Sequence, residues 1–171
     1  MTIIAPGQDY EARVTIDAPP EAVFAALTTL DGLAAWWAPV TGDGATGGEL
    51  RFVFSFDVPL RMRVKEAREA SLVQWTCEEC AWLPDWVGTT ISFTLTARAG
   101  GGCDLVFRHH GLTPRLECFQ DCKSGWDHFL PSLRAYVETG EGHPTGSAAD
   151  VERRARRAAA VTLPRLSPQH P

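Results

Sequence analysis

Residues 115–139 read RLECFQDCKSGWDHFLPSLRAYVET, and this stretch decides the fold. Its apolar side chains recur at about 100° per residue, the period of an α-helix, and Gly140 follows as a stop signal. The pattern predicts one long amphipathic helix. Pro131 lies inside it and cannot donate to the carbonyl of Asp127, so we expect a kink or a break there. The apolar stripe consists of Phe119, Cys122, Trp126, Phe129, Leu130, Leu133 and Val137.

Six segments before this helix alternate apolar and polar side chains, as a strand with one buried face requires. In the clearest of them, Leu60, Met62 and Val64 alternate with basic residues. Residues 18–37, between the first and second segments, predict two short helices. We therefore expect an α+β fold in which a curved six-stranded antiparallel sheet wraps around the long C-terminal helix. The six segments are 10–17, 50–56, 60–65, 72–78, 91–97 and 103–109.

The composition of the chain changes after Gly140. Residues 1–140 predict a single domain, because 171 residues suffice for one well-packed core but not for two ordinary ones. Residues 141–171 are rich in Arg, Ala and Pro and offer almost no apolar face to bury. We expect this segment to be a tail that is disordered or partly helical. The alternative is an arm for an acidic partner or an anionic surface.

The charge of the chain argues against nucleic acid as a partner. The formal net charge is −5, and residues 141–171 contain five Arg against three acidic residues, which leaves residues 1–140 at −7. An acidic body repels a phosphate backbone. The first residues lack the basic and apolar regions of an export signal, and no stretch approaches the roughly 18 apolar residues of a membrane span. We therefore expect a cytoplasmic protein.

The five cysteines are an odd number in a chain without an export signal, so we expect reduced, buried thiols. Cys77 and Cys80 have the spacing of a metal knuckle or a redox pair, and Cys118 and Cys122 stand one helical turn apart. Neither spacing is decisive, because a second knuckle is missing and an extended backbone points Cys77 and Cys80 to opposite faces. We expect no metal and no cofactor.

Two motifs resemble those of a known family. The opening one is VTIDAPPEAVF at residues 14–24, followed by Trp36-Trp37 before a proline, and the closing one runs from Gly125-Trp126 to Gly140. Together they are similar to the activator of heat-shock-protein-90 ATPase homologue family of the START-like (SRPBCC) superfamily, over about residues 10–140.

This resemblance implies the helix-grip architecture, with a deep cavity between the sheet and the long helix. The superfamily uses that cavity for lipids, sterols, polyketides and aromatic compounds. The eukaryotic namesake is a co-chaperone in which this domain follows a separate chaperone-binding domain. Because the present chain has no room for that domain, we do not expect it to activate a chaperone.

The first functional hypothesis is a module that binds an apolar or aromatic small molecule. Six Trp and eight Phe beside two Tyr supply large rings without a polar handle, which suit a wide apolar interior. His109 ends the sixth strand on the same face and is the candidate polar anchor. The predicted ligand-binding residues are Trp36, Trp37, Phe52, Phe54, Trp75, Phe93, Phe107, His109, Trp126, Phe129 and Leu133.

A second hypothesis is a cyclase, dehydratase or hydrolase that uses His109 as acid or base. The predicted inward faces carry no pair of carboxylates, and the sequence lacks a nucleophile elbow, a His-Glu-x-x-His motif and a phosphate-binding loop. We therefore assign no catalytic residue and favour a core histidine bonded to a carbonyl or a loop. His128 lies opposite the apolar stripe and is predicted to be a surface residue.

A third hypothesis is a protein-interaction role through the tail or the sheet, as in a chaperone-activator-like module. A homodimer is a separate candidate assembly. Residues 82–86, WLPDW, join the fourth and fifth strands and place two Trp in one loop. Exposed rings there would form a lid or a dimer contact. Packing of the same rings against the long helix is the alternative.

Overall fold

The structure is a computed structural model that describes residues 5–54 and 58–166, with side chains up to residue 160. Seven strands and four helices occur in these residues, together with one 3-10 turn at Pro84–Trp86. The strands are β1 (Tyr10–Ile16), β2 (Val40–Gly42), β3 (Glu49–Phe52), β4 (Leu60–Arg68), β5 (Leu72–Glu79), β6 (Thr90–Ala97) and β7 (Cys103–His110). The helices are α1 (Pro20–Thr28), α2 (Leu30–Trp36), α3 (Phe119–Thr139) and α4 (Ala148–Leu166).

All strands belong to one antiparallel sheet with the order β1-β7-β6-β5-β4-β3-β2. Because β1 pairs with β7, the first described strand lies beside the last one. Helices α1 and α2 form the connection along the chain from β1 to β2. The long helix α3 packs against this sheet on the side of the buried strand faces. The predicted α+β architecture is thereby confirmed.

The prediction of six strands was wrong by one. The additional strand, β2, is three residues long and pairs Val40 with Phe52 of β3. It starts directly after Pro39 and buries none of its residues fully, so no alternating pattern marks it in the sequence. The second predicted strand also ends earlier than expected, because β3 stops at Phe52, while Phe56 lies outside the described residues.

Helix α3 continues through Pro131 without a break. The proline removes one hydrogen bond, at the carbonyl of Asp127, but the apolar stripe is buried both before and after it, at Trp126 and Leu133. Burial of an amphipathic face supplies most of the stability of a helix in a protein, which explains why one missing bond does not divide α3. The helix ends at Gly140, which has a φ of 87° and donates its N–H to Tyr136.

Helix α2 is tied to both neighbouring helices through Trp36, whose side chain is fully buried. Its indole Nε1–H donates to the carbonyl of Ala26 in α1 at 2.8 Å. Its own carbonyl accepts the hydroxyl of Ser132 in α3, also at 2.8 Å. These two buried bonds fix the position of the Trp36-Trp37 pair beneath α3.

The segment after α3 turns back and forms α4, at the place where the sequence predicts a disordered or partly helical tail. A Cβ at Gly142 would stand 2.5 Å from the carbonyl oxygen of Ala35, so only glycine permits the close approach of this segment to α2. Thr145 then donates its N–H to the carbonyl of Trp37 at 2.7 Å. None of the helices in the described part of the chain has the length and apolar character needed to cross a bilayer.

Candidate functional site

A cavity of about 640 Å³ lies between the first half of α3, the loop around Pro84–Trp86 and α4. Pockets for small molecules usually measure about 300–1,000 Å³, so this volume is sufficient for a ligand of ordinary size. Rings supply most of the floor, and α4 supplies a basic wall. The lining residues are Trp37, Phe54, Trp82, Leu83, Trp86, Cys118, Asp121, Cys122, Gly125, Trp126, Phe129, Arg153, Arg154, Arg157 and Ala158.

The floor of the cavity is a continuous set of ring contacts. Trp126 of α3 stacks on Trp86 with ring centroids 6.0 Å apart and 13° between their planes, and it lies 5.1 Å from Trp37. Trp37 in turn meets the edge of Phe54 at 5.6 Å, and Phe54 meets Trp82 at 5.4 Å. An apolar molecule entering the cavity would therefore touch ring faces and edges on several sides.

The loop that carries two tryptophans packs against α3 through one of them. Trp86 is only 6% exposed, and its Nε1–H donates to the thiol sulfur of Cys122 at 3.1 Å. Trp82 is half-buried at the edge of the cavity and donates its Nε1–H to the carbonyl of Val58 at 3.1 Å. Trp86 thus packs against the long helix, which was the alternative to an exposed lid or dimer contact. Trp82 forms part of the rim of the cavity.

His109 lies directly behind the floor and is fully buried. Its Nδ1 accepts the indole N–H of Trp126 at 3.1 Å, so the ring proton must be on Nε2. Nε2–H then donates to the hydroxyl of Thr89 at 2.8 Å, and that hydroxyl donates to the carbonyl of Trp86 at 2.6 Å. One chain of hydrogen bonds therefore positions both stacked tryptophans.

The surroundings of His109 keep its ring neutral. Burial, and to a smaller extent the nearby His110, lower the pKa of His109 to about 3. Both ring nitrogens are already occupied, and the side chain is not among the residues that line the cavity. This geometry fits a core histidine bonded to a loop, and it gives His109 a positioning role at the floor.

The basic wall of the cavity is built around Asp150, a fully buried carboxylate in the first turn of α4. Asp150 accepts the N–H of Gly146 at 3.0 Å and binds the guanidinium groups of Arg153 at 2.7 Å and Arg154 at 2.9 Å. Burial by itself would raise the pKa of Asp150, but these three partners together lower it below its ordinary value. The carboxylate is therefore ionised and holds the start of α4 in place.

Three further contacts, made by Arg153 and Arg157, join α4 to α3. Arg153 donates to the hydroxyl of Ser124 at 3.2 Å, and its guanidinium carbon stands 5.5 Å from the centre of the Phe129 ring. Arg157 donates its Nε–H to Asp121 at 2.8 Å. The two helices that enclose the cavity are thus connected mainly by polar and ionic contacts.

The five cysteines are all buried and unpaired. Burial raises the pKa of Cys77 to about 12 and that of Cys80 to about 11, and it also raises that of Cys122. The thiols are therefore protonated at neutral pH. Among the described residues, no three His, Cys, Asp or Glu side chains are grouped in a way that could hold a metal ion.

Four of the eleven predicted ligand-binding residues line this cavity: Trp37, Phe54, Trp126 and Phe129. The other seven lie behind it and are buried, and five of them form a cluster of rings that we call the packed core. Its centre is Phe93, whose ring lies 6.3 Å from Trp36, 5.1 Å from Trp75 and 5.2 Å from Phe107. For these residues ligand binding stays a prediction. The packed core consists of Trp36, Phe52, Trp75, Phe93 and Phe107.

Sequence reasoning did not include the arginines of α4 in the site. A signal was nevertheless present, because Asp150, Arg153, Arg154 and Arg157 follow one another at three- and four-residue spacings, which place them on one face of a helix. Two further groups of lining residues were outside the predicted set: Ala158 of α4, and the residues at the start of α3, which are Cys118, Asp121, Cys122 and Gly125. The loop of Trp82, Leu83 and Trp86 was not in that set either, but the sequence had suggested it as a lid.

An antiparallel sheet that wraps around one long helix is the helix-grip architecture of START-like proteins. The cavity of this chain differs in position from the expected one, because it is bordered by α4 and the loop of Trp82 and Trp86 as well as by α3. The family described as Activator of Hsp90 ATPase homolog 1-like protein matches residues 17–138. The chain belongs to this family, as its opening and closing motifs predicted.

Solved structures agree with this assignment. The chain is 30% identical to the Aha1 protein of Colwellia psychrerythraea, whose dimer was solved in solution, with a TM-score of 0.69 over 78% of this chain and 98% of that one. A conserved protein of unknown function from Enterococcus faecalis is 21% identical, with a TM-score of 0.66 over 90% of this chain and 84% of that one. CalU16 from Micromonospora echinospora is 18% identical, with a TM-score of 0.63 over 89% and 84%. No curated protein matches the sequence.

The last two similarities extend beyond the core domain. Coverage of 90% or 89% leaves only about a tenth of this chain unmatched, whereas residues 141–171 make up more than a sixth of it. Part of the segment after Gly140 therefore has a counterpart in both folds.

Proposed function

We propose that this protein binds a hydrophobic or amphipathic small molecule in the cavity between α3, α4 and the loop of Trp82 and Trp86. The observation that carries the proposal is the aromatic floor, in which Trp37, Trp86 and Trp126 contact one another and leave about 640 Å³ open in front of them. Aromatic rings that border a cavity and are held rigidly are a common way to bind apolar ligands.

The hydrogen bonds behind the floor support a site that exists before the ligand arrives. His109 and Cys122 accept the indole N–H groups of Trp126 and Trp86, and Thr89 holds the backbone of Trp86, so little side-chain freedom remains to be lost on binding. A neutral His109 with both nitrogens occupied offers no proton donor or acceptor to a ligand, which makes binding a better-supported function than acid-base catalysis.

Gly125 permits a direct test, because it lines the cavity in the first half of α3 and a Cβ there would meet no atom of the described residues outside its own stretch of helix within 4 Å. Gly125→Leu should fill part of the cavity without distorting the helix. We expect fatty acids and flat aromatic compounds to quench the Trp fluorescence of the wild type, and the leucine variant to lose most of this quenching.

Gly125→Ala is the matched control, since it makes the same gain in helix propensity and adds only one methyl group. It should bind as the wild type does. Equal binding by the leucine variant and the wild type would place the ligand elsewhere, and no quenching of the wild type by a broad panel would overturn the proposal.

Assembly into a homodimer is a second candidate function, favoured by the 30% identical relative from Colwellia psychrerythraea that was solved as a dimer. Light scattering coupled to size-exclusion chromatography should then give twice the mass of the 18.7 kDa chain. A monomer mass at high protein concentration would contradict it. A cytoplasmic location remains a prediction.

A further inference from the structure

The wall that α4 contributes to the cavity differs in charge from the rest of the domain. Residues 1–140 carry seven more acidic than basic residues, yet the charged residues lining the cavity are three arginines and one aspartate, Asp121. A basic lining within an acidic body raises the local concentration of small anions and repels cations. The three arginines outnumber Asp121 and the buried Asp150 by one charge, so this wall favours an anionic group over a cationic one.

The three arginines are not equally engaged in the structure. Arg153 and Arg154 share the buried carboxylate of Asp150, and Arg153 also binds Ser124 and covers the ring of Phe129. Both side chains therefore stabilise the start of α4.

Arg157 is placed differently, since it lies one helical turn further along α4 and its contact is with an exposed partner. Only its Nε–H is used among the described residues, in the hydrogen bond to Asp121, whose side chain is 72% exposed. The two terminal amino groups of Arg157 remain for another acceptor at the wall of the cavity. A guanidinium fixed at one nitrogen presents its other donors in a defined plane, which suits a carboxylate.

We propose that the cavity takes an amphipathic carboxylate, whose apolar body lies on the aromatic floor and whose carboxylate accepts hydrogen bonds from the terminal amino groups of Arg157. This inference rests on the proposed function and adds the chemical class of the ligand. Asp121 acts as a positioning residue for Arg157.

Matched acid and amide ligands test the proposal, because they differ in charge and hardly in size. Calorimetric titrations of the full chain with 2-naphthylacetate and 2-naphthylacetamide, and with decanoate and decanamide, give the affinity of each. We expect the acid of a pair to bind about tenfold more tightly at low ionic strength, which corresponds to about 1.4 kcal/mol. Added salt should reduce this preference, while binding of the amide stays constant.

Arg157→Gln should abolish the preference for the acid and leave the affinity for the amide unchanged. The matched control is Arg156→Gln, which removes the same charge from the adjacent residue of α4, whose partner Glu152 is exposed and which does not line the cavity. It should keep the preference. Circular dichroism melting of both variants checks that α4 is retained, and the salt dependence of the wild type is a readout that needs no variant.

The outcomes separate this inference from the proposed function. Equal affinity of the wild type for acid and amide, or equal loss in the two arginine variants, overturns the role of Arg157 and leaves the cavity as a binding site. Binding of neither ligand in either pair overturns both. Sedimentation with phosphatidylglycerol vesicles should show no association, and association that requires Arg157 would assign the basic wall to a lipid surface instead of a free carboxylate.

Discussion

The packed core and the cavity are both aromatic, but they differ in what surrounds their rings: the cavity rings border about 640 Å³ of open space among the described residues. In the packed core the rings come from strands joined by continuous hydrogen bonding and from α2, and every side chain is fully buried. The cavity is bordered by α3, the segment after β3, the loop of Trp82 and Trp86, and α4. Of these, α4 is held mainly by polar and ionic contacts. Whether a group of aromatic rings forms a core or a binding site therefore depends on the elements that surround it. The number of rings alone does not decide this.

Trp37 marks the boundary between the two regions. On one side its ring is parallel to that of Trp75, with centroids 5.9 Å apart. On the other it contacts Phe54 and Trp126 at the floor of the cavity. A ligand bound at the floor would thus be one ring removed from the packed core.

The largest difference should be in how much the free energy of unfolding falls when a ring is removed from each region. Phe93→Ala removes the central ring of the packed core and should lower the free energy of unfolding by about 3–5 kcal/mol. The matched variant Phe54→Ala removes a half-buried ring at the cavity and should cost about 1 kcal/mol. Urea denaturation measures both, and a loss at Phe54 as large as that at Phe93 would show that the cavity is closed in solution.

The pH dependence of the free energy of unfolding should show whether the buried His109 is neutral and hydrogen-bonded behind the floor of the cavity. The pKa of His109 is lowered in the folded protein, so its contribution is complete above the unfolded value near 6.5 and is lost as pH falls toward 3. Between pH 7 and pH 5 the wild type should lose about 2 kcal/mol more than His109→Gln does.

The control for the histidine experiment is His143→Gln, because the side chain of His143 is exposed and its backbone makes the contacts. This variant should follow the wild type across the pH range. If the free energy of unfolding of His109→Gln falls as steeply with decreasing pH as that of the wild type, the ring of His109 is not a buried neutral group.

A smaller loss of stability is expected when the buried carboxylate that anchors α4 is removed. Asp150→Asn weakens the bonds to Arg153 and Arg154 and should cost about 1.5 kcal/mol, because bonds to charged groups are lost at a buried site. Hydrogen exchange should accelerate in α4 and stay unchanged in the sheet. Glu152→Gln, which changes an exposed pair, is the control, and exchange that is equally fast in both variants would contradict the anchoring role of Asp150.

The parts of the fold that follow a regular pattern were predictable from sequence. Alternation in β4, at Leu60, Met62 and Val64, and the stripe of α3 correctly identified buried faces, because each element exposes one face to water and covers the other. The short strand β2 was missed because its three residues follow a proline and depend on β3 for pairing.

The candidate site was harder to predict, because its limits depend on contacts between distant segments. The sequence indicated that Trp36 and Trp126 both face inward, but only the structure shows that Trp126 borders open space while Trp36 is enclosed by α1 and α3. The packing of α4 was missed for a similar reason. Its anchors are Asp150 and Arg153, and a search for an apolar face does not detect ionic contacts.

The six tryptophans of the chain test the position of the bound ligand most directly, because their indole N–H groups give separate signals in a ¹⁵N–¹H correlation spectrum. Titration with 2-naphthylacetate should shift the signals of Trp82, Trp86 and Trp126, which line the cavity, and leave those of Trp36 and Trp75 unmoved. Largest shifts at Trp36 and Trp75 would mean that the ligand enters the packed core, and that result would contradict the account.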